Sequence, residues 1–177
     1  MNVTDAINRR KSVRSYTGEA PSEAALDAIL KAAEEAPVGM GHYQNYSLTV
    51  VTNEQVLDAI EKAGAAFFNN PGWHPLYGAP VLVVVSAKGP ESRLSNATYS
   101  SAACIVQNMA LEAVEQGVGC CHIWGAIAGL VQNPDLVARL GLPEGFVACC
   151  AIALGMTSQA YEPREIDHGR IFTNRVE

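Results

Sequence analysis

Charge is scarce in this chain. Asp, Glu, Lys and Arg make up 17% of its 177 residues, against about a quarter in an ordinary soluble domain. With a 49% hydrophobic fraction, that scarcity excludes a disordered chain and predicts a large buried surface, part of it an oligomer interface. A basic surplus is also missing: the formal net charge is -6, so nucleic acid is not an expected partner, because a duplex binder carries a basic face. The longest apolar run, Phe146 to Met156, is far short of the roughly 20 residues of a membrane span. The N-terminus lacks the apolar core of a signal peptide, and a soluble, cytoplasmic protein is expected. The five cysteines, Cys104, Cys120, Cys121, Cys149 and Cys150, have no metal or redox spacing. Four of them form adjacent pairs in strand-like runs, where neighbours point to opposite faces, so each is expected to be a small buried hydrophobe. His42, His74, His122 and His168 are scattered, and no metal site is expected. There is no Gly-x-Gly-x-x-Gly after a strand, no P-loop and no Gly-x-Ser-x-Gly elbow. Catalysis by a metal or by a nucleophile of the chain's own is therefore not expected.

What the chain does have is concentrated near its start. Arg9-Arg10-Lys11-Ser12-Val13-Arg14-Ser15-Tyr16 holds four of the twelve Lys and Arg residues within six positions. Cations this close repel one another unless an anion offsets them. Guanidinium forks and hydroxyl donors together are the set that a phosphate takes. A helix-end charge, worth roughly 0.3–1 kcal/mol against the helix dipole, accounts for Arg9 but not for Arg14 beyond the helix. A basic anion site with Gly-rich loops, and without a nucleophile or metal, points to a bound cofactor that carries the chemistry.

The chain reads as a single domain, residues 1–177. A short helix begins at Thr4, and a second, opened by Pro21-Ser22, carries Leu26, Ile29, Leu30 and Ala33 at helical spacing. A strand is expected over Ser47 to Thr52, and a helix capped by Asn53 follows, with Val56, Leu57 and Ile60 on its apolar side. Another short turn is expected over Ala65 to Asn70. Pro80 to Val85 lacks polar alternation and reads as a strand buried on both faces. The helix from Asn96 to Gln116 is apolar around most of its circumference and so central, covered on several sides. Cys120 to Trp124 is a strand, then two short helices reach about Leu140, and Phe146 to Leu154 is a last buried strand. An α+β sandwich with one sheet around a core helix fits this order better than a doubly wound sheet.

Arg10-Lys11-Ser12-Val13-Arg14-Ser15-Tyr16, Ala36-Pro37-Val38-Gly39, Gln107-Asn108, Gly117-Val118-Gly119 before Trp124-Gly125, and Ala153-Leu154-Gly155 follow one another in an order and spacing that resembles the nitroreductase family of flavin mononucleotide (FMN) oxidoreductases. The resemblance spans almost the whole chain. It implies an α+β three-layer sandwich with a mostly antiparallel central sheet, a buried central helix, and an intertwined homodimer with FMN at the interface. Carried over by position, it implies that Arg10 and Ser12 hold the FMN phosphate and ribityl chain, with Lys11 alongside. Arg14 would approach the pyrimidine edge of the flavin. Pro37, Val38 and Gly39 would reach the ring from the partner subunit, and the Trp124 and Gly125 backbone would face its redox-active nitrogen. Arg164, or else Arg170, would close the phosphate site.

The resemblance further implies an enzyme in which NADH or NADPH passes hydride to FMN, which then reduces a nitro compound, quinone or similar small acceptor. The family's loop commonly reads Ala-Pro-Ser, then an Asn and Gln-Pro-Trp; here Val38, Gly41 and Asn45-Tyr46 stand instead. Backbone groups are therefore expected to make its flavin contacts. The connector between Val85 and the central helix is shorter than in many members, which predicts less of a lid over the site. Two other classes fit the same octet: a non-catalytic flavin-binding sensor or carrier, and a docking site for an acidic partner. Visible flavin absorbance and NAD(P)H consumption discriminate among the three.

Overall fold

The most apolar segments of the chain form the sheet. In the computed structural model, which describes residues 1–89, 94–167 and 169–177, four strands pair antiparallel: β1 (Tyr46–Val51), β2 (Val81–Lys88), β3 (Gly119–Ile123) and β4 (Phe146–Gly155), in the order β1-β2-β4-β3. His168 and the middle of the connector before the central helix lie outside the described residues. Every residue of β2 from Val81 to Ala87 is buried, as the missing polar alternation requires. Val81, Val83 and Val85 join one cluster, while Leu82 and Val84 join the other. That is the period-two alternation of a strand covered on both sides.

Helices make the outer layers. α2 (Glu23–Glu34) and the long α4 (Asn96–Glu115) cover one face. α3 (Glu54–Phe67), α5 (Gly125–Leu130) and α6 (Pro134–Arg139) cover the other. On the α4 side Ile29, Ile105, Met109 and Ile152 interlock; on the far side Ile60, Ile127, Leu130 and Ala151 do. Burying each of the Ile, Leu and Met side chains among these contributes about 1.5–3 kcal/mol. α3 and α5 approach closely because Gly129 lies under the α3 backbone: a Cβ there would stand 2.2 Å from Ala63 O. The result is a three-layer α+β sandwich, as expected.

Caps set the helix starts. The side chains of Ser22, Asn53, Ser95 and Asn133 each accept a backbone N–H in the first turn of their helix, satisfying donors that a helix start leaves open. α1 (Val3–Arg9) is capped by Asn2, whose side chain accepts from Asp5 N, so the helix begins before Thr4. The separate turn expected from Ala65 is instead the end of α3, which continues to Phe67 with Phe68 as its C-cap. α4 packs on the sheet, α2 and α1, yet Ala103 is exposed and Cys104 and Gln107 are half-buried. One of its sides is open in the single chain.

The adjacent cysteines divide into two cases. Cys120 and Cys121 fall in opposite clusters, as alternation demands. Cys149 and Cys150 do not: Val85 pairs with Cys150 and Ser86 with Ala148, leaving Cys149 as the extra residue of a β-bulge. A bulge interrupts the alternation, and both thiols pack with the α4-side cluster.

Candidate active site

The basic octet runs from the end of α1 along the β3–β4 edge of the sheet. Arg10 is the C-cap of α1, its N–H donating to Ala6 O. Val13 is fully buried, and its N–H donates to Cys120 O of β3 at 2.8 Å. Further on, Thr17 N–H donates to Met156 O and Met156 N–H to Glu19 O. Pinning Val13 inward directs its neighbours outward, since successive side chains of an extended segment alternate. Ser12 lies beside the Cys121 thiol and lowers its pKa. Arg14 is exposed, with its guanidinium 5.8 Å from the centre of the Tyr77 ring, a cation–π distance.

The cations have different employments. Lys11 Nζ donates to Ala160 O at 2.5 Å, and Arg9 Nη1 to Tyr161 O at 2.8 Å. Arg164 Nε donates to Asn8 O at 2.6 Å and its Nη2 to Ile7 O at 3.1 Å, closing carbonyls that the end of α1 leaves open. Among the described residues, no hydrogen bond or ion pair engages the side chains of Arg10, Arg14 or Arg170. Desolvation and the nearby Arg10 and Arg170 charges hold Arg164 below the usual guanidinium value. Partial desolvation and the same Arg10 lower the pKa of His122. Positive potential thus accumulates around Arg10, Arg164 and Arg170 with no carboxylate paired to it among the described residues.

Burial disfavours the thiolate form of the cysteines on β3 and β4. Burial pushes Cys120 and Cys121 up, although Tyr161 and Arg10 pull back on the first and Arg14, Ser12 and Arg10 on the second. Burial takes Cys149 up to about 11 and Cys150 up to about 12. All four stay thiols near neutral pH. Among the described residues no group of His, Cys, Asp and Glu is arranged to hold a metal.

Trp124 and Gly125 lie where β3 gives way to α5, on the strand that docks Val13. Trp124 is 60% exposed. Gly125 is covered by the Trp73 ring so closely that a Cβ would stand 2.5 Å from Trp73 Cη2. Phe68 is the hub of an edge-to-face cluster, its ring centroid 5.0 Å from that of Phe67, 5.3 Å from Trp73 and 6.4 Å from Trp124. A cavity of about 220 Å³ opens beside Trp124, lined also by Phe67, Tyr99 and Ile127. Trp73 and Tyr77, which touch Gly125 and Arg14, were not singled out in the sequence. The signal was present as an aromatic-rich Pro/Gly segment from Phe67 to Tyr77, where a loop carries side chains that solvent alone would not favour.

Pro37, Val38 and Gly39 are not brought to this cluster within the chain. Gly39 N–H donates to Ser101 Oγ of α4 at 3.0 Å, and the Tyr43 hydroxyl donates to Ala36 O at 3.1 Å. The segment leads into β1, the edge strand opposite β3. A larger cavity, about 510 Å³, lies there between Ala33, Tyr43, Tyr46 and Ile105, and no member of the octet lines it.

Comparison with known proteins gives a consistent picture. The sequence profile of the Nitroreductase family matches residues 7–156. A protein of Methanothermobacter thermautotrophicus named "Putative NADH dehydrogenase/NAD(P)H nitroreductase" is 26% identical over 172 residues, 94% of this chain and 83% of that protein. Among solved structures, a nitroreductase with bound FMN from Desulfitobacterium hafniense superimposes with a TM-score of 0.84 at 26% identity, covering 99% of this chain and 100% of that one. A nitroreductase with bound FMN from Bacteroides fragilis gives a TM-score of 0.80 at 27% identity, with 99% and 100% covered.

Proposed function

Because this chain belongs to the nitroreductase family, we propose that it is an FMN-dependent oxidoreductase taking hydride from NADH or NADPH and passing it to a nitro compound, quinone or similar small acceptor. The observation that carries this reading is Arg10 and Arg14, whose guanidiniums lack ion-pair partners among the described residues, flanking Ser12 on the segment that docks through Val13 on β3, the strand leading to Trp124-Gly125. A phosphate monoester is the anion such a donor set fits. FMN, when bound, supplies the hydride chemistry.

The chain's own residues bind, orient and exclude. Arg10 and Ser12 hold the phosphate end, and Lys11, Arg164 and Arg170 keep the surroundings positive. Arg14, steadied by the Tyr77 ring, places a full positive charge where negative charge develops on reduction. The Trp124 and Gly125 backbone faces the ring, held from behind by Trp73. Phe67, Phe68 and Tyr99 offer an apolar, solvent-open surface against which an acceptor would stack. No acid or base of the protein is required, as solvent reaches the site.

The functional unit is a homodimer, with the Pro37-Val38-Gly39 loop of one subunit completing the site of the other. Three features support this reading. The loop leads to the strand edge opposite the octet. The side of α4 around Ala103 is open in the single chain. Ile171, Phe172 and Val176 of the tail are almost fully exposed. Purified protein should be yellow and should oxidise NADH or NADPH when a nitroaromatic or quinone is added. A colourless protein that cannot be loaded with FMN would sink the proposal.

A further inference from the structure

We propose that the segment from Ala160 to Arg164 is a strap that positions the phosphate-binding part of the octet, with Tyr161 as its positioning residue. The inference rests on the flavin reading above and adds to it Tyr161 and the segment leading to Arg164.

The strap grips the octet from two sides. On the strand side, the Tyr161 hydroxyl donates to Val118 O at 2.9 Å and accepts from Cys120 N–H at 3.1 Å. Cys120 therefore uses its two outward backbone groups on two segments: its N–H on Tyr161 and its C=O on Val13. Val13 is the inward residue between Ser12 and Arg14, so the strap and the octet dock on one residue of β3. On the helix side, Arg164 N–H donates to Asn8 Oδ1 at 2.6 Å, and its guanidinium closes the carbonyls of Ile7 and Asn8. Between these ends, Arg9 reaches Tyr161 O and Lys11 reaches Ala160 O. Lys11 Nζ also lies 5.9 Å from the Tyr161 ring centre.

Arg9 and Lys11 are thus spent on the strap, and they flank Arg10. With both neighbours tied back, the Arg10 guanidinium is the charge that stays available in its turn of chain. Without the strap, three adjacent cations on a frayed helix end would spread under their own repulsion. Pre-organisation of this kind lowers the ordering that a ligand must otherwise pay for. Its effect is confined to the end of the ligand that Arg10 and Ser12 meet.

The test uses the full chain, stripped of flavin and titrated by flavin fluorescence with FMN and with riboflavin, which lacks the phosphate. Tyr161→Phe leaves Cys120 N–H and Val118 O without their partner, and is expected to weaken FMN about ten-fold, the equivalent of about 1.4 kcal/mol. Riboflavin affinity should stay within about two-fold of the parent, since riboflavin lacks the phosphate whose charge the positioned Arg10 meets. Asn8→Ala, which loosens the other end, should shift the FMN-to-riboflavin ratio in the same direction and carries the test if Tyr161→Phe does not fold. Equal weakening of both flavins, or an unchanged ratio in both variants, overturns the strap. A parent that does not prefer FMN to riboflavin overturns instead the phosphate assignment on which the strap depends.

Discussion

Arg10 and Arg14 lie on either side of buried Val13, and their losses should read differently. Arg10→Ala removes a charge-assisted bond to the phosphate and should weaken FMN by about 1.5–3 kcal/mol, or roughly 10- to 100-fold. The flavin-to-protein ratio after exhaustive dialysis measures it; unchanged retention would contradict the phosphate assignment. Arg14→Ala should retain FMN yet lower its reduction potential and slow reduction by NAD(P)H, read by equilibrium titration and stopped flow. His122 supplies a pH dependence. Its folded pKa lies below the ordinary value of 6.5 because of partial desolvation and Arg10, so the unfolded chain binds its proton first. Stability should therefore decline as pH falls through about 6.5, and level off below the folded pKa. His122→Gln should flatten that decline in urea titrations at successive pH values, and FMN phosphate beside Arg10 should raise the His122 pKa seen by NMR. At this scale, residue type and order were enough to nominate Arg10, Ser12 and Arg14. They could not separate Lys11 from Arg10, because a free cation and one tied to Ala160 O look alike in a string of letters.

Elements repeat the pattern. Ser22 and Asn53 were legible as caps because each precedes a helix with a clear apolar stripe. α1 has no buried residue, so no apolar stripe fixed its start, and the cap lies at Asn2 rather than at the expected Thr4. The bulge at Cys149 was equally invisible, since it arises from the register of β4 on β2. Gly125 gives an element-scale prediction. Its Cα lies under Trp73, so Gly125→Ala must displace the indole and should cost about 1–3 kcal/mol. Lower thermal stability and altered Trp fluorescence would register it. Adding Trp73→Leu makes room for the new methyl, and the double variant should lose less stability than the two single changes added together, a coupling that a mutant cycle measures.

For the whole molecule, the proposed dimer is the feature with most at stake. Ile171 is 79% exposed, Phe172 89% and Val176 91%, a sequence of apolar side chains that a lone chain would leave in water. Deleting residues 171–177 should leave the far-UV circular dichroism unchanged while shifting sedimentation from dimer toward monomer. Flavin should be lost in parallel, because each site would lose the other subunit's Pro37-Val38-Gly39 loop. An undiminished dimer would show that the tail takes no part in it.

The α+β class, the buried β2 and the central α4 follow from local pattern, and so does the clustered charge from which a phosphate site is proposed: hydrophobic period, capping residues and clustered charge are properties of neighbours in the chain. Which cations stay available, why Gly125 must be glycine, and why Cys149 and Cys150 share a face depend on contacts between residues far apart in sequence. Arg9 and Lys11 are restrained by residues about 150 positions away, and only folding sets such partners side by side. The opening charge cluster was thus written in the sequence, while its division of labour was decided in three dimensions.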